Sequence, residues 1–402
     1  MKALRKFLDK IKPHFEEGGK LHAFHSVFDG FETFLFTPNT TSKSGVHIHD
    51  SRDSKRAMII VVLALLPCLF FGMYNTAYQN NLAAGVTDAS FFEMMAYGFL
   101  AILPSIIVCY AVGLGIEFMV AQWRKEEIQE GFLVSGLLIP MICPIETPIW
   151  MIAVATAFAV IFVKEVFGGT GYNFLNVSLA ARAFLFFAYP ASMSGDKVFV
   201  ASDTILGLGN TLPDTFTGAT PLGQVATATG EVALTNLSNG AMSLWDMFIG
   251  LIPGSFGETS TLCILIGAVI LLATGIASWR VMLSVFAGGA VMALIANAFA
   301  TPTYPGSMLG VGEHLCLGGF AFAAVFMATD PVTAARTNTG KYIYGFLIGV
   351  IAIIIRVYNN GYPEGAMLAV LLMNVFAPMI DYCVVRANIN KRLNRVKSVS
   401  NE

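Results

Sequence analysis

GFLVSGLLIPMICP, at residues 131–144, has no charged residue and is interrupted by two prolines, Pro140 and Pro144. A helix that spans a bilayer needs about 20 mainly apolar residues, so this stretch predicts a short, broken helix at membrane depth. The composition of the chain agrees with that setting. Of 402 residues, 55% are hydrophobic and 12% are charged, whereas a soluble domain carries about 25% charged residues. The sequence therefore predicts an all-α polytopic membrane protein.

A second interrupted stretch, HLCLGGFAFAAVFMATDP at 314–331, carries Gly318 and Gly319. The two stretches are the third predicted helices of two five-helix halves. Interrupted helices at matching positions predict an inverted repeat with a binding site at its centre. Because proline is common in membrane helices generally, two unrelated helix breaks are the alternative.

Ten apolar segments are candidate membrane spans, and they begin near residues 58, 95, 132, 148, 177, 260, 281, 313, 342 and 365. An amphipathic region ahead of them is expected to form a cytoplasmic cap lying on the membrane. The chain then divides into this cap, a first membrane half, an outward-facing loop, a second membrane half and a basic tail, at residues 1–55, 56–193, 194–259, 260–385 and 386–402.

Lysines and arginines are distributed unevenly between the connections. Ten precede residue 58, five follow residue 385, and the connections between them alternate between basic and nearly uncharged, with Arg356 as the exception. Short loops rich in these residues stay on the cytoplasmic side. Both termini are therefore predicted to be cytoplasmic, and the loop at 194–259 is predicted to face the periplasm of a Gram-negative cell.

Charge and cysteine usage exclude two kinds of site. The net charge of −2 argues against a nucleic-acid partner, because phosphate binding needs a concentrated basic surface. The six cysteines stand singly, with no CxxC pair, so they form no metal or cluster motif within this chain. His47 and His49, beside Asp50, lack a third and fourth ligand and are interpreted as a polar loop.

The stretch DTFTGATPLG, at 214–223, lies in the long polar loop. Within it, Thr217 and Thr220 are separated by Gly218 and Ala219, the two smallest residues. A bulky group can therefore approach the hydroxyl of Thr220 without collision, which indicates an attachment site. An ordinary small-residue turn is the alternative.

The motif D-x-x-T-G-A-T, from Asp214 to Thr220, resembles the flavinylation motif of the B subunit of the sodium-translocating NADH:quinone reductase, and of the related D subunit of the Rnf complex. KEVFGGTGYNFLN at 164–176, RAFLFFAYP at 182–190 and FMATDPVTA at 326–334 are similar to the same family. So are the ten-helix pattern and the N-terminal cap, and the resemblance covers nearly the whole chain. The cap favours the reductase subunit over its shorter Rnf relative.

The resemblance implies that Thr220 carries FMN through a phosphoester bond, which a separate flavin transferase makes from FAD. The Asp214 carboxylate is expected to position a metal or the transferase during attachment. A covalent bond suits a loop facing the outside, because such a loop has no closed pocket to retain a diffusible cofactor. The resemblance further implies a noncovalent riboflavin, ubiquinone as substrate, and Na⁺ export across a bacterial inner membrane.

Partners are implied in the same way. They include other subunits of a multi-subunit membrane complex, among them an NADH-oxidising flavoprotein and an iron-sulfur-bearing membrane pair. NADH itself is not expected to bind this chain, which has no Rossmann unit.

The segment KEVFGGTGYNFLN combines a glycine cluster with two amides, Asn173 and Asn176. Glycines let the backbone approach a planar ligand closely, and amides both donate and accept hydrogen bonds. The resemblance places riboflavin here, with Asp330 as a third contact. A glycine-permitted turn with asparagine helix caps is the alternative.

Acidic residues at or near membrane depth are candidates for an ion path, since ionisable groups there are costly. Sodium prefers oxygen ligands, and Asp330 and Asp381 are the preferred candidates for its path. The wider set comprises Glu117, Glu146, Glu165, Asp330 and Asp381. Glu165 is interpreted as a solvated partner of Lys164, and Glu146 as an outer-loop residue.

Glu117 also belongs to the stretch AVGLGIEFMV, in which Gly113 leaves room for a flat ring. The resemblance implies a quinone site near the cytoplasmic face, which is assigned to Gly113 and Glu117. Close packing of another helix at the glycines is the alternative.

Together with these patterns, the resemblance implies a flavin-carrying membrane subunit that couples electron transfer from NADH to ubiquinone with Na⁺ export. Two alternatives stay open: the Rnf D subunit, and a flavin-free secondary transporter that uses the same acidic residues. Carboxylates at membrane depth serve Na⁺ and protons equally, so the residues alone leave the ion open.

Overall fold

The computed structural model describes residues 2–15, 19, 25–36, 44–46, 54–86, 88–124, 131–194, 198–213, 216–228, 230, 233–359 and 361–400. Asp214 and the predicted polar loop at His47–Asp50 lie outside the described residues. Within the described part every regular element is helical, apart from two isolated β-bridges.

The helices follow one another along the chain as α1 Lys2–Ile11, α2 His25–Leu35, α3 Ser54–Ala84, α4 Phe91–Arg124, α5 Phe132–Ile142, α6 Ile149–Phe158, α7 Val177–Ala188, α8 Ala191–Ser194, α9 Pro221–Thr227, α10 Leu244–Ile249, α11 Thr261–Ala273, α12 Trp279–Ala298, α13 Val311–Cys316, α14 Phe320–Phe322, α15 Asn338–Tyr358 and α16 Ala366–Ser400. Two short π-helical segments, Ala159–Lys164 and Ala323–Met327, extend α6 and α14. A 3₁₀ turn, Glu165–Phe167, then completes the α6 rod.

The described residues hold six helices that are long and apolar enough to cross a membrane: Lys55–Ala84, Phe91–Arg124, Ile149–Phe167, Trp279–Ala298, Asn338–Tyr358 and Ala366–Arg395. Three further apolar helices, α5, α7 and α11, are shorter. Helical segments lie at or beside all ten predicted starts, but four of these segments fall short of the roughly 20 residues that span a bilayer. The chain is thus a helical membrane protein, and the part that the structure describes includes six helices of spanning length.

Proline alone does not interrupt the helices, since Pro67, Pro104 and Pro378 all lie inside long ones. Neighbouring membrane helices and local backbone adjustments satisfy the carbonyls that such prolines leave free. The stretch at 131–144 does end early, because α5 stops at Ile142 and Cys143 is extended, with ψ 153°.

The helices pack as two groups around a shared core. In the first group α4 packs on α3, α5 and α6, and α6 packs on α7; in the second, α15 packs between α12 and α16. The groups meet where α3 contacts α11 and where α7 contacts α16. Phe320 and Phe322 of the broken helix, with Met141 of α5, are buried in the core between them.

The loop predicted at 194–259 folds onto the ends of α3 and α4. Asn80 donates to the carbonyls of Ala201 and Asn210, each at 2.8 Å, and the Tyr97 hydroxyl donates to the Asp203 carbonyl at 2.7 Å. Glu146 accepts from the backbone N–H of Ser202 at 2.7 Å, so its carboxylate anchors this loop.

The C-terminal end of the same loop lies in the interior of the protein. Every residue from 255 to 261 is buried, and this segment reaches into the protein beside the end of α5. The N–H of Gly257 donates to the Met141 carbonyl at 2.7 Å. The loop boundary predicted at 259 therefore falls within a buried segment, which satisfies its backbone polar groups against the free end of a broken helix.

At the other end of the molecule, α1 and α2 are joined through Glu32. Its carboxylate accepts from Arg5 and Lys12, each at 3.0 Å, and α2 packs on α4. The basic tail predicted from residue 386 continues α16 to Ser400, and residues 386–395 of it are exposed.

Candidate functional site

Thr220 begins a short helix. Its hydroxyl oxygen accepts from the N–H of Gly223 at 3.1 Å, and Pro221 takes the first helical position of α9. Threonine at the N-cap followed by proline is a common start for a helix, because the cap satisfies an orphan N–H and proline has none to satisfy. The Thr220 hydroxyl is thereby held at a defined place.

Gln224 holds the backbone of the motif from the side. Its amide donates to the Ala219 carbonyl at 3.3 Å and to the Thr235 carbonyl at 2.8 Å, and it accepts from the Thr235 N–H at 3.0 Å. Thr217 is exposed, whereas Ala219 and Thr220 are half-buried. The Thr220 side of the motif thus faces the protein, and the Thr217 side faces away from it.

A small open pocket adjoins Thr220. We call it the Thr220 pocket. The start of α9, the segment 252–259 and the break between α13 and α14 each form part of its wall, and Glu364 completes it. Its apolar wall includes Leu222 and Ile252, and its charged wall is formed by Glu258 and Glu364.

The helix break that lines this pocket depends on two glycines. Gly318 and Gly319 have φ of +61° and +66°, a backbone conformation that other residues rarely adopt. A β-carbon at 318 would collide with Leu222, and one at 319 would lie 2.7 Å from a Glu258 carboxylate oxygen. Only glycine therefore lets α9 and Glu258 approach the break this closely.

Behind the charged wall lies Arg182 of α7, which is 2% exposed. Its guanidinium donates to the Ser255 hydroxyl at 3.2 Å, to Glu258 at 3.4 Å and to Glu364. Burial raises the pKa of the Glu258 carboxyl to about 7, and the Arg182 guanidinium opposes that rise. One buried cation thus connects two acids from distant parts of the chain.

A second buried cation, Arg356 of α15, secures the helix break. It donates to the carbonyls of His314 at 2.6 Å, Leu317 at 3.0 Å and Glu364 at 3.2 Å. These include carbonyls at the end of α13, which have no partner within the helix. Arg356 therefore serves the role of a helix cap and fixes both the break and the Glu364 backbone.

A second group of charged residues lies near the C-terminal end of α4. Glu117 and Lys164, both 4% exposed in their side chains, form a buried ion pair, and Arg124 pairs with Glu165 at 3.6 Å. Lys164 closes the π-helical segment after α6, and such segments often occur at functional sites. One Glu117 oxygen has no partner within the described residues. We call this group the Lys164 cluster.

The predicted quinone residues lie in this region. A β-carbon at Gly113 would collide with the ring of Phe132, so the glycine accommodates the packing of α5 on α4. Glu117 is committed to Lys164. Close helix packing accounts for the structural role of both residues, and quinone binding at Gly113 and Glu117 stays a prediction.

The structure brings together two of the three predicted riboflavin contacts. Asn176 donates to Asp330 at 3.3 Å and also caps α7, accepting from the N–H groups of Ser178 and Leu179. Asn173 is buried but donates to the Leu175 carbonyl at 2.9 Å. All three side chains therefore have partners within the protein, and a flavin there would have to replace some of these hydrogen bonds.

Asp330 and Asp381, the predicted Na⁺ residues, both hold turns. Asp330 accepts from the Val332 N–H at 3.0 Å and the Thr333 hydroxyl at 3.1 Å. Asp381 accepts from the N–H groups of Arg336 and Thr337, at 2.7 and 2.9 Å. The described residues contain no group of three His, Cys, Asp or Glu side chains that could hold a metal ion.

Three residues of the site escaped the analysis of the sequence: Arg182, Glu258 and Glu364. A signal was available for Arg182, since a lone arginine within an apolar segment marks a functional site by default. Glu258 and Glu364 are separated from it by 76 and 182 residues, and they lie in connections where acids are common.

Comparison with known proteins yields one family. The profile of the NQR2, RnfD, RnfE family matches residues 41–390. A protein of Chromohalobacter salexigens, named as the B subunit of a Na(+)-translocating NADH-quinone reductase, is 45% identical over 98% of this chain and 96% of its own. Proteins of the same name from Ectopseudomonas mendocina and Klebsiella pneumoniae are 44% and 43% identical, each over 98% of this chain and 99% of their own.

Proposed function

The chain belongs to the NQR2, RnfD, RnfE family, and from that premise we propose that it is a flavin-carrying subunit of a Na⁺-translocating NADH:ubiquinone reductase. The near full-length relatives that bear the name of such a subunit support this assignment. The observation that supports covalent attachment of a flavin is the position of Thr220. Its hydroxyl is fixed at the start of a helix, on the edge of a pocket.

The residues around Thr220 fit an esterified FMN. The hydroxyl is half-buried and lies beside small residues, Gly218 and Ala219, so a phosphate there meets no side-chain obstacle from the motif itself. When bound, FMN would supply reversible electron storage. The chain supplies the anchoring oxygen, the Gln224 brace that orients it, and the pocket beside it.

The rest of the assignment is proposed with it. Riboflavin is assigned to Asn173, Asn176 and Asp330, ubiquinone to Gly113 and Glu117, and the Na⁺ path to Asp330 and Asp381. An NADH-oxidising flavoprotein, an iron-sulfur-bearing membrane pair and a flavin transferase are the proposed partners.

For the topology we propose ten crossings arranged as two inverted five-helix halves. Matching packing supports the repeat: α4 packs on α5 and on α6, as α12 packs on α13 and on α15, and α6 packs on α7 as α15 packs on α16. The short and broken helices then cross with help from their neighbours. The basic connections place both termini in the cytoplasm and Thr220 on the periplasmic side of the inner membrane.

The test of this function is in-gel flavin fluorescence of the denatured chain, coexpressed with a flavin transferase. Thr220→Val is the test variant, and Thr227→Val, at an exposed threonine of α9 outside the motif, is its matched control. We expect a fluorescent band in the wild type and in Thr227→Val, and none in Thr220→Val.

No band in the wild type, while the transferase modifies a control substrate, would exclude the flavin and favour a flavin-free transporter. The family name also covers the Rnf D subunit, which would give the same band. Purified complex would separate these two, because the Rnf alternative uses ferredoxin and NAD rather than quinone.

A further inference from the structure

Two neighbouring helices, α12 and α15, begin at the same boundary of the membrane region. Both are long and apolar enough to span a bilayer. A β-carbon at Gly345 would meet the Val281 carbonyl, and one at Gly349 would meet the Val285 carbonyl. Because these contacts advance by equal steps along both helices, the helices run in the same direction, and their first turns lie at one membrane surface.

The first turns of these two helices present aromatic and basic side chains together. The rings of Trp279 and Tyr342 meet edge to face, with their centroids 6.1 Å apart, and both residues are exposed. The Arg280 guanidinium lies 5.3 Å from the ring centroid of Trp279, and Lys341 precedes Tyr342 in the chain. We call these four residues the α12–α15 surface. Tryptophan and tyrosine concentrate at the level of the lipid headgroups, and a guanidinium group is attracted to their ring faces.

The α12–α15 surface carries two positive charges. Within the part of the chain that the structure describes, neither Arg280 nor Lys341 forms an ion pair. Asp381 of α16 accepts from the N–H groups of Arg336 and Thr337, so its carboxylate is committed to the turn before α15. An anionic ligand would therefore meet two basic side chains that no described carboxylate holds.

An apolar surface continues from these residues into the membrane. Leu283 and Phe346 lie one helical turn beyond Trp279 and Tyr342, and on the same helix faces, because residues four apart are neighbours on a helix. Leu283 is 56% exposed and Phe346 is 39% exposed. This side of the protein is thus amphipathic across the membrane boundary, with cations at the boundary and exposed apolar side chains one turn deeper.

We propose that the α12–α15 surface binds an anionic phospholipid. Arg280 and Lys341 contact its phosphate and headgroup charge, and its acyl chains lie along Leu283 and Phe346. A soluble anion would use the cations alone, whereas a phospholipid uses both the charged and the apolar part of the surface. Basic pockets between membrane helices are a recognised mode of binding such headgroups. Lipid binding here is independent of the flavin and quinone assignments.

The experiment follows the thermal unfolding midpoint of the full chain in detergent micelles as cardiolipin is added. Phosphatidylcholine, which has a phosphodiester but no net charge, and inorganic phosphate, which has no acyl chain, are tested alongside it. Arg280→Gln and Lys341→Gln are the test variants. Arg392→Gln is the matched control, because Arg392 is an exposed arginine in the tail of α16, outside the α12–α15 surface. The cardiolipin mole fraction that gives half of the rise is compared, so that a different starting midpoint does not affect the result.

We expect cardiolipin to raise the wild-type midpoint, and phosphatidylcholine and inorganic phosphate to leave it nearly unchanged. Each test variant should need about fivefold more cardiolipin for half of the rise, the ratio that one basic residue contributes near an anionic membrane surface, whereas Arg392→Gln should respond as the wild type does. A wild type that cardiolipin does not stabilise would overturn the proposal. So would test variants that respond like Arg392→Gln, or a rise of equal size with phosphatidylcholine or inorganic phosphate.

Discussion

The Thr220 pocket and the Lys164 cluster hold different arrangements of charge. At the pocket, Glu258 and Glu364 form part of the wall and share the Arg182 guanidinium behind it. In the cluster, near the C-terminal end of α4, Glu117 and Lys164 form a buried ion pair. The first arrangement sets two carboxylates beside an opening, whereas the second sets one carboxylate against one ammonium group.

The two places therefore differ in the contacts that a ligand would meet. The Thr220 pocket is open at its mouth beside Thr220. In the Lys164 cluster one Glu117 oxygen is bound to Lys164, and Asn176 is bound to Asp330. A ligand at either of these two places would have to displace contacts that the chain already makes.

The largest expected effect is a loss of stability when the ion pairs beside the Thr220 pocket are broken. Arg182→Met leaves Glu258 and Glu364 without their shared cation, and removal of one partner from a buried ion pair costs about 3–5 kcal/mol. We expect a large fall in the thermal unfolding midpoint of the detergent-purified chain. Arg280→Met, at a half-buried arginine that stacks on Trp279, should leave the midpoint almost unchanged. Equal midpoints for both variants would contradict the role of Arg182.

The next prediction concerns the Lys164 cluster. Lys164→Met leaves Glu117 buried and unpaired, and a destabilisation of about 3 kcal/mol is expected from one lost partner. The double variant Glu117→Leu with Lys164→Met should recover most of the stability, since well-packed apolar residues often replace a buried pair without loss. Thermal unfolding of the three proteins measures this, and a double variant no more stable than Lys164→Met would show that the pair is not isolated.

A smaller effect distinguishes a structural role of Asp381 from a role in Na⁺ transport. Asp381→Asn weakens the three hydrogen bonds that the carboxylate accepts from Arg336 N–H, Thr337 N–H and the Thr337 hydroxyl at the start of α15, at an expected cost of about 1–2 kcal/mol. If Asp381 is also part of the Na⁺ path, the Na⁺ concentration for half-maximal quinone reduction will rise in the folded variant. An unchanged Na⁺ dependence alongside the lower stability would limit Asp381 to its turn.

The smallest expected effect is on the rate of flavin attachment, when the hydrogen bonds of Gln224 beside the proposed attachment residue are removed. Gln224→Leu removes the brace between the motif and Thr235, and the net loss is about 1 kcal/mol for hydrogen bonds of this kind. We expect flavin attachment to slow by roughly fivefold without abolition, measured as the rise of in-gel fluorescence with time. Thr227→Val, at an exposed hydroxyl on the same helix, should attach flavin at the wild-type rate.

The helices and their breaks could be predicted from sequence because they depend on local composition. Apolar runs placed helical segments at the ten positions, and the glycine pair marked the break that lines the Thr220 pocket. The lengths of the helices were harder to predict from the sequence. The helix α5 ends at Ile142, short of the length that spans a bilayer alone, since the fold supplies partners for its free end from residues 256–257.

The charged wall of the Thr220 pocket could not be predicted from local composition. Arg182, Glu258 and Glu364 come from three separate parts of the chain, and their contacts arise only when α7, the buried segment and the turn before α16 assemble. The motif at Thr220, by contrast, is contiguous, and its chemistry can be recognised from a few residues. Asp330 and Asn176 show an intermediate case. The family resemblance placed both beside one ligand, and the local pattern offered the capping role of Asn176 as the alternative. Their direct hydrogen bond was not predicted.

The central claim is that Thr220 carries flavin, and the most direct test is mass spectrometry of proteolytic fragments from the chain coexpressed with a flavin transferase. The account predicts that the fragment containing Thr220 is heavier by FMN less one water and that fragmentation assigns this mass to Thr220. An unmodified Thr220 fragment, or the added mass on Thr217, would contradict it.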